Sequence, residues 1–396
     1  TATYCSFRPT TLNSFVYVRF LSGRDRRNLE TTGFACDKDE NSLVCISNQP
    51  VIIDTRNNIT VHLSSASSEQ KETNIKPYAL QKDKYLLQYI SPVKILHGKK
   101  PVCQYNDDVP AVIFSSGISR NLFHEFNDII IPLYITVNHF QSRVLLILED
   151  YNPSFVTKYS KILSRLSSYP VMDPASNRSL HCFPGVIVGL KYHDNLALNG
   201  EYSMPIFRKF LEETYDLKFK HVSQIKKPTI VLMSREKTRI FLNEVNMVNM
   251  MKRLGFRVVI AREDEAADLD KFAATVNSCG VLVGAHGAGL TNELFLPAGA
   301  VVVQVEPLGL EWASSRYYGD PARAMGLRYL RYEIEPEESS LVEMYGRHHS
   351  VVTDPESVYA KGYREVRAVY LQQQNVRVNI VRFRKTIFEA LLLVKT

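Results

Sequence analysis

From Ala111 onward the chain alternates short, continuous apolar runs with stretches of helical periodicity, and that alternation constrains the fold more than any other feature. The first series reads Ala111-Val112-Ile113-Phe114, a helix from about Asn121 to Asn138, Val144 to Leu148, a helix near Ser154 to Ser168, and Val186 to Leu190. Apolar runs without polar alternation mark strands covered on both faces, as in parallel sheets. After a polar linker, Gln224 to Pro228, a second series begins: Thr229 to Met233, a helix from Asn243 to Leu254, Arg257 to Ile260, a helix from Glu265 to Val276, Gly280 to Val283, a helix from Ala288, and Ala300 to Val305. The expected class is α/β, with two doubly wound units and a ligand cleft at the carboxyl ends of their strands. Two units suit 396 residues, because single cores stop growing at roughly 250–300 residues. The expected organisation is a first domain over 1–225, a second over 226–353, and closing helices over 354–396 that cross back to the first. Before residue 100 the chain reads as short strands and turns, such as Phe15 to Val18 and Val51 to Ile53, with an exposed Ser-rich loop from Ser64 to Lys71.

Apolar content of 45% with 22% charged residues excludes a disordered chain. The net charge of +7 is dispersed rather than run together, which argues against a nucleic-acid surface and leaves room for a basic cleft. No run approaches the ~20 apolar residues of a membrane span. The chain opens Thr1-Ala2-Thr3-Tyr4, neither an initiator Met nor a signal peptide, so any targeting segment is expected to precede it. Two sequons, Asn58-Ile59-Thr60 and Asn177-Arg178-Ser179, fit a secretory compartment, with Asn58 and Asn177 as glycosylation candidates. Cysteine usage agrees. Cys36 and Cys45 bracket a short polar loop that a disulfide can close, Cys103 and Cys182 remain as a second pair with connectivity open, and Cys279 reads as a packed free thiol.

Three constellations fall on strand ends of the second series. Gly284-x-x-Gly287-x-Gly289 follows an apolar strand and opens a helix, placing bare N–H groups and a positive helix end toward an anion. The spacing departs from the dinucleotide fingerprint, and a tight strand-to-helix turn explains the glycines equally well. Ser234-Arg235-Glu236-Lys237-Thr238-Arg239 follows Thr229 to Met233, so Arg235 and Lys237 can clamp a diphosphate or form a solvated basic turn. Gln304-Val305-Glu306-Pro307 ends the next strand, and a carboxylate there can accept from ribose hydroxyls. In the first series Asn121, His124 and Asp128 share one helical face beside Glu125, which equips it either for taking a proton from a hydroxyl or for capping a helix. The D-x-D pairs Asp37-Lys38-Asp39 and Asp268-Leu269-Asp270 lie between cysteines and inside a helix, so no essential metal is expected.

Asn121-x-x-His124-x-x-x-Asp128-x-x-x-Pro132-Leu133, Ser234-Arg235, Gly284 to Asn292 and Gln304-x-x-Pro307 together resemble glycosyltransferase family 61. The stretches Cys36 to Cys45, Gly185 to His193 and Gln372 to Val378 resemble its plant branch, which decorates xylan. The resemblance implies two Rossmann-like domains facing across a cleft, the GT-B arrangement, and inverting transfer from a UDP-sugar without a tightly bound cofactor. It implies a type II Golgi protein whose lumenal part acts on β-1,4-xylan, adding β-1,2-xylose (preferred) or α-1,3-arabinofuranose. Carried onto these residues, His124, Asp128 or Glu125 supplies the base. Arg235, Lys237, His286, Gly287, Ala288, Gly289, Leu290 and Thr291 hold the diphosphate, and Gln304 and Glu306 the uridine. Arg120 and Asn121 stand on the acceptor side, where Ser119-Arg120 departs from the smaller residues of the family pattern. A non-catalytic UDP-sugar or glycan-binding homologue is the rival, but it would be expected to lose the His124 face, which is intact. An NAD-dependent oxidoreductase would need an acidic residue about 20 positions past the turn. Glu306 and Glu311 approach that spacing, but the turn lies in the second unit with the wrong glycine pattern.

Overall fold

A computed structural model describes residues 21, 23–64, 71–118, 120–193, 196, 203–262 and 268–395. The strand expected at Phe15 to Val18, most of the Ser-rich loop, Ser119 and the start of the Glu265 helix lie outside these residues. The chain divides into two compact units, Thr1–Asp194 and Asn195–Thr396, and its class is α/β.

The first unit holds two sheets. Strands β1 (Phe34–Lys38), β2 (Leu43–Ser47), β3 (Val51–Asp54), β4 (Thr60–Ser64), β5 (Lys71–Ile75), β6 (Val93–Gly98), β7 (Tyr105–Asn106), β8 (Ala111–Phe114), β9 (Leu145–Leu148), β10 (Leu180–Phe183) and β11 (Val186–Val188) share them. One sheet runs β1-β2-β11-β8-β9, the other β5-β6-β4-β3-β10-β7. Only β11, β8 and β9 are parallel neighbours in the first, while β1 and β2 join it antiparallel. The wholly parallel sheet expected for this unit is therefore corrected to a mixed one. Short polar loops such as Asp39 to Ser42 close hairpins, and hairpins pair antiparallel. Val51, Ile53 and Val61 of one sheet share a buried core with Ala111, Ile113 and Ile147 of the other. The carboxyl ends of β8 and β9 are joined by Asp150, which accepts from the Ser116 N–H (2.7 Å) and the Ser115 hydroxyl (2.9 Å).

The second unit is built on one parallel sheet of β12 (Thr229–Met233), β13 (Arg257–Ala261), β14 (Val281–Ala285), β15 (Val301–Glu306) and β16 (Arg328–Glu333), in the order β13-β12-β14-β15-β16. The strand order reverses between β12 and β14, and at such a switch point two strand ends splay apart and open a crevice. The helix Met204–Thr214 belongs to this unit: Arg208, buried, donates to the carbonyls of Met325 (2.8 Å) and Leu296. The closing helix Ile380–Leu393 buries Phe383, Ile387, Ala390 and Leu391 in the same core as Val301, Val303 and Val305. Those residues form one stripe at helical spacing. Of the closing helices expected over 354–396, the first part is broken into Pro355–Tyr359, Tyr363–Val366 and a π-helical Arg367–Gln373. Gly362, at φ 97, interrupts it.

Candidate active site

At the switch point the backbone leaves β14 through His286 and turns at Gly287, whose φ of 147° and ψ of 173° suit glycine alone. A Cβ there would come within 2.8 Å of Arg235 Nη1 and 2.9 Å of Arg239 Nη1. Two guanidinium groups thus close on one backbone position at the ends of β12 and β14. Thr238 holds them: Arg235 Nε donates to its carbonyl (2.8 Å), and both arginines reach its hydroxyl (3.3 and 3.4 Å). Arg239 Nη1 also donates to the His286 carbonyl at 2.7 Å, while its Nε is buried with no partner. Burial, then the charge of Arg235, push the Arg239 guanidinium down to about 10. Like charges gathered in a poorly solvated crevice are costly unless an anion joins them.

The helix expected from Ala288 is a 3₁₀-helix, Ala288–Phe295. Leu290 N–H is spent on the Gly287 carbonyl (2.9 Å), so the donors left without a helical partner at this end are those of Ala288 and Gly289. Thr291 is fully buried. His286 is buried beside Tyr318, and burial with the charges of Arg239 and Arg235 pushes it down to about 3, so it is neutral. Its Nδ1 meets Gln304 Nε2 at 2.9 Å, and Gln304 Oε1 accepts from Tyr329 at 2.9 Å. In that network Nδ1 accepts and Nε2 carries the proton, leaving a neutral donor beside the turn. Gln304, expected at uridine, is therefore fully buried and committed to orienting His286. Glu306 ends β15, almost wholly buried, and burial raises it to about 7 against the opposing charge of Arg331 at 3.6 Å. Lys237 is exposed on its loop; the second cation against the turn is Arg239, the last residue of the S-R-x-K-x-R motif, which sequence reasoning left without a role.

In the first unit a short α-turn, Leu122–His124, runs directly into a π-helix, Glu125–Ile130, and then an α-helix, Ile131–Val137. Asn121 caps this series, accepting from Phe123 N–H at 2.9 Å, and Arg120 before it is exposed. A π-turn widens the helix and is frequent at functional sites. Here His124 Nδ1 lies 2.8 Å from Asp128 Oδ2. Asp128 is 1% exposed and the His124 side chain 43%. An ionised carboxylate only accepts, so Nδ1 carries the proton and Nε2 the lone pair. Burial works to lower the His124 pKa, but the hydrogen bond and charge of Asp128, with Asp83 adding, raise it above its ordinary value. Asp128 is held in turn by Tyr78 (hydroxyl to Oδ2, 3.0 Å) and Asn127 (Nδ2 to Oδ1, 2.7 Å), and Asn127 also meets Tyr192 (2.8 Å) and His193 (2.9 Å). Glu125 is buried and committed to Lys158 (2.5 Å) and Tyr159 (2.8 Å). Tyr78 lies in no motif read from the sequence, and neither Asn127 nor Tyr192, the latter within the Gly185 to His193 stretch, was given a role there; their roles come from the fold.

The remaining candidates fall as follows. Cys36 is joined to Cys45 and Cys103 to Cys182, while Cys279 is a buried free thiol raised by burial to about 11. Asn58 and Asn177 are exposed. Of the D-x-D residues, Asp37 and Asp39 pair with Lys191 (2.5 and 2.8 Å), and Asp268 caps a helix by accepting from Lys271 N–H (3.2 Å).

An α/β protein with a cationic glycine turn at one switch point and a His–Asp dyad at another unit's strand ends is a narrow class. The glycosyltransferase 61 family model matches residues 122–303, beginning just before His124 and ending inside β15. The chain is 36% identical over 362 residues to an α-1,3-arabinosyltransferase of Oryza sativa subsp. japonica, covering 86% of this chain and 63% of that protein. It is 35% identical to a xylan glycosyltransferase of Arabidopsis thaliana, covering 81% and 70%, and 34% identical to a β-1,2-xylosyltransferase of Oryza sativa subsp. japonica, covering 85% and 75%. The chain belongs to glycosyltransferase family 61. It spans just under two thirds of the first of these relatives.

Proposed function

We propose that this chain is the lumenal, catalytic part of a Golgi xylan glycosyltransferase, transferring a pentose with inversion from a UDP-sugar to the β-1,4-xylan backbone. Xylose in β-1,2 linkage is the preferred transfer. Arabinofuranose is the alternative, favoured by the likeness to an α-1,3-arabinosyltransferase. The observation that carries the reading is the pair of guanidinium groups closed on Gly287 at the switch point. In this reading the diphosphate lies against Arg235, Arg239, the Ala288 and Gly289 N–H groups and neutral His286, and Glu306 accepts from the ribose. Because those cations neutralise the leaving group and Asp37, Asp39 and Asp268 are committed elsewhere, no essential metal is invoked.

The first unit takes the acceptor, and the two units adopt the GT-B arrangement implied by the family resemblance. His124 Nε2 removes the proton from the attacking xylose hydroxyl, and the imidazolium that forms is stabilised by Asp128. The hydroxyl oxygen forms its bond to the anomeric carbon as the bond to UDP breaks on the opposite side, so one displacement inverts the centre. With Glu125 committed to Lys158 and Tyr159, His124 ranks ahead of it as the base. The test is incubation with UDP-xylose and UDP-arabinofuranose separately on xylo-oligosaccharides, reading product mass and linkage. A β-1,2-xylosyl product is expected, and product from neither donor refutes the assignment.

A further inference from the structure

Tyr78 lies well upstream of the stretch matched by the family, yet its hydroxyl is hydrogen-bonded to the acidic half of the dyad. It is fully buried. Its segment is tied to the end of β8 by Ser115 N–H on the Pro77 carbonyl (2.8 Å), and its own carbonyl accepts from Gln81 Nε2 (2.6 Å). The ring packs at Gly117, where a Cβ would come within 3.0 Å of Tyr78 Cε2 and 3.2 Å of Leu86 Cδ2. A tyrosine held this firmly has one direction for its hydroxyl, and that direction is Asp128 Oδ2, the same oxygen that bonds His124 Nδ1.

We propose that Tyr78 is a positioning residue of the dyad: by donating to the oxygen that holds His124, it fixes the carboxylate and limits how strongly Asp128 retains a proton on the imidazole. This rests on the reading of His124 as the base. Two donors on one oxygen share its charge, so each is bound less tightly than it would be alone. The Asn127 amide on Oδ1 fixes the carboxylate plane but leaves Oδ2 to the other two. The other charged or titratable groups around the dyad are Asp83, whose charge acts on both His124 and Tyr78, Tyr192, which acts on Tyr78, His193, which meets the Asn127 carbonyl, and Glu125, paired with Lys158. Of all these, Tyr78 alone places a hydroxyl on Oδ2 beside His124.

The test is Tyr78→Phe, which keeps the ring against Gly117 and Leu86 and removes the donor. Kinetics are measured across pH with donor sugar and xylo-oligosaccharide, and UDP affinity is measured separately. Without the shared donor, Asp128 holds the imidazolium more tightly. The acid limb of kcat/KM moves up by about 0.5–1 pH unit, the equivalent of one hydrogen bond, while UDP affinity stays within about twofold. A limb that does not move overturns the inference. Should that variant fail to fold, 3-fluorotyrosine at position 78 preserves size and strengthens the donor, and the limb must move down; no movement again overturns it. His124→Ala and Asp128→Asn run alongside. If both keep wild-type transfer, the base reading fails and takes this inference with it. If both lose transfer and the limb of Tyr78→Phe stays in place, this inference alone falls.

Discussion

Arg239→Gln is expected to make the empty protein more stable and the UDP complex weaker. The guanidinium is pushed from 12.5 to about 10, by burial first and by Arg235 second. At about 1.4 kcal/mol per pH unit, keeping that charge in the empty crevice costs on the order of 3 kcal/mol. Glutamine removes the charge but also loses the bond to the His286 carbonyl, which returns roughly 1.5–2 kcal/mol. The net is a gain of about 1–2 kcal/mol, or a rise in melting temperature of about 2–8 °C for a unit near 200 residues. On the liganded side a charge-assisted hydrogen bond to phosphate disappears, which raises the Kd for UDP roughly 10–100-fold. At a UDP concentration 100 times the wild-type Kd, the wild-type protein gains about 2.7 kcal/mol and the variant only about 0.4–1.4 kcal/mol. Thermal melts with and without UDP measure both halves. A variant that melts lower when empty and keeps the full UDP response refutes the reasoning, because Arg239 would then serve the turn and not the ligand.

Three further outcomes follow from the same geometry. Glu306, raised to about 7, contributes stability that is present below about 4.5, its unfolded value, and lost as pH rises through 7. Glu306→Gln is therefore expected to melt increasingly above wild type between pH 5 and pH 8, by up to about 2–3 kcal/mol, and a difference independent of pH contradicts it. Cys103–Cys182 closes a separation of 79 residues and Cys36–Cys45 one of 9, so removing the first costs more, about 4.5 against about 2.6 kcal/mol in the chain-entropy account; denaturant titration of Cys103→Ala/Cys182→Ala and Cys36→Ala/Cys45→Ala ranks them. Turnover is expected to continue unchanged in excess chelator, and its abolition with recovery on adding Mn²⁺ would place a metal in the mechanism.

Much of the second unit was legible because its strands are apolar throughout. Thr229 to Met233, Gly280 to Val283 and Ala300 to Val305 each announced a strand covered on both faces, and all three lie in one parallel sheet. The first unit was harder to read. Its short antiparallel strands carry mixed patterns, and β10 pairs with β3 across more than a hundred residues of chain, a pairing no local periodicity encodes. The same limit hid the helix break at Glu125: the sequence spacing of His124 and Asp128 suits an α-helix as well as a π-turn, and only the packing around Phe126 and Ile130, both fully buried, chooses between them.

The switch point gathers residues whose electrostatics look unfavourable in isolation, and of these sequence reasoning left Arg239 without a role. Arg239 beside Arg235 and a buried Glu306 each oppose stability in the empty protein. Structural ion pairs relieve such stress with a partner, as Lys158 does for Glu125 and Lys191 for Asp37 and Asp39. At the switch point Arg239 Nε is instead buried with no hydrogen-bond partner. A fold selected for stability alone would have satisfied that donor or replaced the arginine. Keeping a second guanidinium, Arg239, with an unsatisfied buried donor against a glycine is the arrangement expected where a further partner arrives with the substrate and leaves with the product. That is why the Arg239→Gln melt discriminates between a site and a scaffold: only in a site does removing a conspicuous contact raise the stability of the empty protein.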